Sequence, residues 1–85
     1  MLDHAQMLKS LGEGWSIEDN RLVKVFEFKG FLKTMSFVNA VAWEANSCMH
    51  HPDMEVSFNK CKINLTTHDQ GNTLTDKDFE LAKRI

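Results

Sequence analysis

The chain has 85 residues, of which 42% are hydrophobic and 26% charged, with a formal net charge of -2. That length suits one domain with a modest core, and the composition excludes a disordered or low-complexity chain. With no block of lysine or arginine, it also argues against a broad electrostatic footprint on nucleic acid or a membrane surface. The cysteines, Cys48 and Cys61, come without an apolar signal segment or a long apolar span, which predicts free thiols in a reducing cytoplasm.

Taken in chain order, residues 2–11 place Leu2, Met7, Leu8 and Leu11 on one side of a short helix that Gly12 and Gly14 stop. Alternation through Trp15-Ser16-Ile17 and again from Leu22 to Phe28 predicts a hairpin turning at Asp19-Asn20. Its core side would carry Trp15, Ile17, Leu22, Phe26 and Phe28. Between Gly30 and about Ser47, Phe31, Met35, Val38, Ala42 and Ala45 recur at helical spacing and predict a central helix. Phe37 and Val41 form a second stripe, with Trp43 off the first. This surplus apolar surface in so short a chain predicts a homodimer or homotetramer.

Pro52 disfavours helical geometry at His51, so His50 and His51 should lie on an extended loop after this helix. A second hairpin should follow, turning at Asn59-Lys60, pairing Phe58 with Cys61 and Val56 with Ile63, and carrying the same apolar face to Leu65. Cys61 on that face reads as a small core hydrophobe. The last helix begins at Thr75, whose hydroxyl can cap the amide of Asp78. Leu74 and Phe79 sit at staple positions, and Phe79, Ala82 and Ile85 face inward. The order α-β-β-α-β-β-α implies an α+β fold with a four-stranded antiparallel sheet packed by one face on the helices, the other face remaining relatively polar.

The chemistry concentrates at the ends of the second hairpin. His50-His51-Pro52 precedes it and Thr67-His68-Asp69 follows it, so three of the four histidines flank one unit. His4, in the first helix, has no partner in view and reads as a solvated residue. Imidazole titrates near neutral pH, so a cluster around one concavity can give and take protons in a single turnover. A metal site is disfavoured, since adjacent histidines diverge and neither Cys-x-x-Cys nor His-x-x-x-His occurs. There is no Gly-x-Ser-x-Gly turn, no base placed for Cys48 and no glycine-rich phosphate loop.

His50-His51-Pro52, Phe58, His68 and Asp78 follow the signature spacing of the pterin-4a-carbinolamine dehydratases, also called dimerisation cofactors, and the chain resembles that family. Phe26-Glu27-Phe28-Lys29-Gly30-Phe31, Phe58-Asn59-Lys60, Leu65-Thr66-Thr67-His68 and Leu74-Thr75-Asp76-Lys77-Asp78 extend the likeness over most of the chain. It departs from the usual pattern at Asn46, Met49 and Met54.

The resemblance implies a dehydratase that removes water from a 4a-hydroxy-tetrahydropterin to give the quinonoid dihydropterin, in recycling of the pterin used by an aromatic amino-acid hydroxylase. No metal, nucleophile or redox cofactor is implied. By the same resemblance His50, His51 and His68 line the pterin pocket and share the acid and base roles. Met49, Thr66, Thr67 and Asp69 would contact substrate, and Asp78 would orient or bind from the start of the last helix, where it also reads simply as an N3 cap. Animal members of the family also partner a homeodomain transcription factor. The alternative role is therefore a binding module that uses the central-helix stripe of Phe37, Val41 and Trp43.

Overall fold

The computed structural model describes residues 3–85, so Leu2 of the expected first helix lies outside the described residues. Helix α1 spans His4–Ser10. It starts in a capping box in which Asp3 accepts from the Gln6 N–H at 2.8 Å and Gln6 accepts from the Asp3 N–H at 3.3 Å. Gly12 and Gly14 then turn the chain with φ of 85° and 95°, a region costly for other residues.

Strands β1 (Ser16–Glu18), β2 (Arg21–Glu27), β3 (Asp53–Val56) and β4 (Lys60–Leu65) form a four-stranded antiparallel sheet in the order β1-β2-β4-β3. Asp19 and Asn20 both take positive φ, the geometry a two-residue hairpin turn requires, and Glu18 pairs with Arg21 across it. Leu22, Cys61, Ile63 and Leu65 share one face and are fully buried beneath the helices. Val25, Lys62 and Glu55 are aligned across the opposite face. Burial pushes the Cys61 thiol up, so it stays a neutral core group.

Helix α2 spans Phe31–Cys48 and α3 spans Asp76–Arg84. Both pack on the buried sheet face, with Val41, Ala45, Phe79, Leu81 and Ala82 in one cluster with the strand residues. Leu74 joins the same cluster, completing the expected staple with Phe79. No helix among the described residues is long and apolar enough to cross a membrane.

Three expectations need correction. The second hairpin pairs Val56 with Cys61 and Met54 with Ile63, and the Ser57 N–H donates to the Lys60 carbonyl at 2.9 Å. Its turn therefore falls on Phe58-Asn59, and Phe58 is exposed. The shift moves Ile63 two places along β3, so every side chain keeps its face, which is why alternation alone could not detect it. The Phe58 and Asn59 carbonyls accept from the Thr34 hydroxyl at 3.1 Å and the Phe28 N–H at 2.8 Å, which holds the observed turn against the start of α2.

The inward face of α2 is the second correction. Thr34, Phe37, Val38, Val41, Ala45 and Cys48 face the core, whereas Phe31 and Ala42 are exposed. Val41 is 2% exposed and so belongs to this subunit's own core; the apolar surface left on the helix is Phe31, Leu32 and Trp43. Apolar residues on nearly every side of α2 made its phase ambiguous, and the buried Thr34 hydroxyl, bonded to Gly30 and Phe58, fixes it. Third, Ile17 lies on the edge strand β1, paired on one side only through Leu22, and is exposed. Trp15, Phe26 and Phe28 are half-buried, Trp15 meeting Phe26 edge-on and the two phenylalanines stacking on Phe37.

This assignment of the faces predicts that Val41→Asp, which places an unpaired carboxylate in the core, destabilises the fold by more than about 3 kcal/mol in urea unfolding. Ala42→Asp, next to it on the same helix but exposed, should shift it by less than about 1 kcal/mol.

Candidate active site

The site begins where α2 ends. Met49 adopts left-handed geometry with φ of 54°, and the His50 N–H bonds back to the Ala45 carbonyl at 3.1 Å, a Schellman-type reversal. The reversal turns His50 inward and leaves Met49 and His51 at the surface. Behind His50 lies the first turn of α3, where Asp78 is completely buried.

Every donor that Asp78 needs is present. One carboxylate oxygen lies 2.5 Å from His50 Nε2; the other accepts from the Thr67 hydroxyl and from the Thr75 N–H, each at 2.9 Å. The hydroxyls of Thr67 and Thr75 are themselves 2.6 Å apart. With the positive end of the α3 dipole at the same place, a negative charge is stabilised there despite its burial. A carboxylate can only accept, so His50 donates from Nε2 and keeps Nδ1 as the neutral ring's acceptor.

Past the end of β4 the chain supplies the third imidazole. Thr66 and Thr67 are buried, their hydroxyls committed to the Asn20 carbonyl and to Asp78, and Thr67 pairs with Thr73 to close a loop. Within it a 3-10 turn, His68–Gln70, exposes His68. Its Nδ1 lies 2.7 Å from the Asn72 amide oxygen and its Nε2 lies 3.3 Å from the Asp53 carboxylate.

His50, His51 and His68 share the wall of a cavity of about 210 Å³ with Met49, Asp69 and Lys77. His50 and Lys77 also border a hollow of about 390 Å³ lined by Cys48, Asp76, Glu80 and Arg84. Of the residues the sequence singled out, Met49, Asp69 and the three histidines meet at the smaller cavity, whereas Thr66, Thr67 and Asp78 lie buried and do not line it. Lys77 was missed, its one signal being that it precedes Asp78 and must point elsewhere from the same helical turn. His4 stands apart, its ring against Phe79 with centroids 5.6 Å apart. Among the described residues, no three histidine, cysteine or carboxylate side chains are grouped as a metal ion would need.

This geometry can be set beside known proteins. The sequence profile of the family described as pterin 4 alpha carbinolamine dehydratase matches residues 2–85. The chain belongs to this family. It is 46% identical over 79 residues to a provisionally named pterin-4-alpha-carbinolamine dehydratase of Nitrosomonas eutropha, covering 93% of this chain and 69% of that one. A similarly named protein of Sulfolobus acidocaldarius is 44% identical over 86 residues, covering 99% and 93%.

Among solved structures, a transcriptional coactivator/pterin dehydratase from Brucella melitensis superposes with a TM-score of 0.86 at 27% identity, over 98% of this chain and 92% of that one. A pterin dehydratase-like protein identified as a RuBisCO assembly factor in the α-carboxysome shares the fold, with a TM-score of 0.70 at 21% identity over 87% of each chain.

For this member of the pterin carbinolamine dehydratase family, the Asp78 arrangement predicts a definite stability effect. Asp78→Ala strands the Thr67 hydroxyl, the Thr75 amide and the His50 ring together, and should cost about 2–4 kcal/mol in urea unfolding.

Proposed function

We propose that the protein is a 4a-hydroxy-tetrahydropterin dehydratase acting by histidine general acid-base catalysis. The observation that supports this most is the meeting of His50, His51 and His68 at one cavity, although they come from opposite ends of the second hairpin. In the reaction the bond from carbon 4a to the hydroxyl breaks with its electron pair on oxygen, and one imidazolium supplies the proton with which the oxygen leaves as water. The adjacent ring nitrogen loses its proton to a second imidazole, and its electron pair forms the new carbon–nitrogen double bond. Protons and electrons balance within the substrate and the histidines, so no oxidant or reductant takes part.

The environments divide the labour. His50, braced by a buried carboxylate, keeps a fixed ring, as a group must that acts on one substrate atom. His51 lies at the exposed rim and suits contact with the bound ring. Met49, Asp69 and Lys77 complete the wall. Physiologically the reading places the protein after a pterin-dependent aromatic amino-acid hydroxylase, whose product it would dehydrate.

A second reading, a binding role for the α2 surface, is favoured by the exposure of Leu32 and Trp43, at 81% and 73%. Two copies of this chain meeting through that surface would cover both residues and give a homodimer or homotetramer. Light scattering on the protein and on Trp43→Asp tests it: the variant should fall toward monomer, and a monomeric parent would contradict it.

For the dehydratase reading, His50→Ala and His68→Ala should each slow turnover of a carbinolamine pterin by roughly 100- to 10,000-fold with the fold retained by circular dichroism. The double variant should lose less than the product of the two, because groups in one proton network are not additive. A folded, pure protein inert toward the carbinolamine would refute the dehydratase reading and leave the binding role.

A further inference from the structure

His68 differs from the other two histidines in that both of its ring nitrogens have protein partners, and neither partner lines the cavity. Asn72 holds Nδ1 at 2.7 Å and Asp53 faces Nε2 at 3.3 Å. The His68 side chain is 56% exposed, so packing cannot fix the ring and its orientation depends on these two contacts.

The backbone is shaped to make them. After the 3-10 turn, Gly71 and Asn72 take φ of 77° and 56°, and Thr73 returns to pair with Thr67, which folds the Asn72 amide back over the ring. Asparagine is among the few residues other than glycine that adopt this left-handed geometry readily. Asp53 comes from a different segment: it opens β3 directly after His51 and Pro52 and pairs with Asn64. The two contacts therefore join the loop that carries His50 and His51 to the turn that carries His68.

We propose that Asn72 and Asp53 are positioning residues for His68, Asn72 fixing the ring through Nδ1 and Asp53 aligning Nε2 as the nitrogen that exchanges its proton. This deepens, and rests on, the acid-base reading of the three histidines. Both partners only accept, so in the imidazolium Nδ1 donates to the amide oxygen and Nε2 to the carboxylate; when the ring is neutral, the shorter bond at 2.7 Å keeps its proton on Nδ1 and the longer one at 3.3 Å gives its proton up. Nε2 is left to exchange. Its contact is longer and runs to a half-exposed carboxylate on a separate segment, so it is the one a bound substrate can share or replace. An exposed pair of this kind contributes little to stability, so its effect should be read in turnover.

Three variants separate orientation from folding. Asn72→Gly keeps the left-handed backbone and removes the amide, Asp53→Ala removes the carboxylate, and Asp53→Asn keeps an acceptor oxygen without the charge. Asn72→Gly and Asp53→Ala should each lower kcat about 10- to 100-fold, since small misplacements of a reacting group cost on that order. KM and the unfolding midpoint should hold close to the parent values, and Asp53→Asn should recover most of the rate.

Nitrogen-15 NMR of the ligand-free protein, with the histidines labelled, supplies a readout independent of activity. The neutral His68 ring should carry its proton on Nδ1 in the parent and on Nε2 in Asn72→Gly. An Nε2-protonated neutral ring in the parent, a kcat within about twofold for both Asn72→Gly and Asp53→Ala, or a loss that tracks the unfolding midpoint would each overturn the proposal. An inert parent whose His68 is nonetheless protonated on Nδ1 would sink the dehydratase reading while upholding the positioning of this ring.

Discussion

A single buried carboxylate holds the site to the fold. Asp78 accepts from the Thr75 amide that caps α3, from the Thr67 hydroxyl beyond β4 and from His50 after the end of α2, so three parts of the chain meet on its two oxygens. Burying a charge without partners would be prohibitive, and here the partners are the cap of its own helix and the imidazole it braces. The arrangement makes the stability of the fold and the placement of His50 depend on the same atoms. It also accounts for the direction of His50: the left-handed Met49 turns the chain inward, and Asp78 is what His50 meets there.

The other side of the cavity is built differently. His68 is exposed and held by two surface contacts, where His50 is enclosed and held by a network. An enclosed imidazole and a surface one thus border the same small cavity, with His51 at the rim. Under the proposed dehydratase reading, which delivers one proton and removes another at neighbouring substrate atoms, each ring needs its own support, and the two are held by unrelated means.

Much of this was legible in the residues. Alternation, helical spacing and the turn residues Asp19 and Asn20 suffice for the order of elements and for the sheet, and the signature spacing is enough to bring the three histidines together. For Asp78 the helix-cap reading is realised, and the same carboxylate also meets His50. The register of β3 on β4 was not legible, because a two-residue slip leaves every side chain on its face and either Phe58-Asn59 or Asn59-Lys60 can turn. The inward face of α2 was hidden by apolar residues on several sides, and its phase depends on Thr34, a polar residue that periodicity does not weigh. Asp53, Asn72 and Lys77 are ordinary polar residues whose part in the site comes only from tertiary placement. No local pattern marks Asp53 or Asn72.

The most direct measurement is a crystal structure of the protein with a bound reduced pterin that cannot lose water. The ring should lie in the cavity between His51 and His68, within hydrogen-bonding reach of His50, with Asp78 still bonded to His50 and touching no ligand atom. A pterin seated away from the three histidines, or an Asp78 carboxylate swung from His50 onto the ligand, would contradict it.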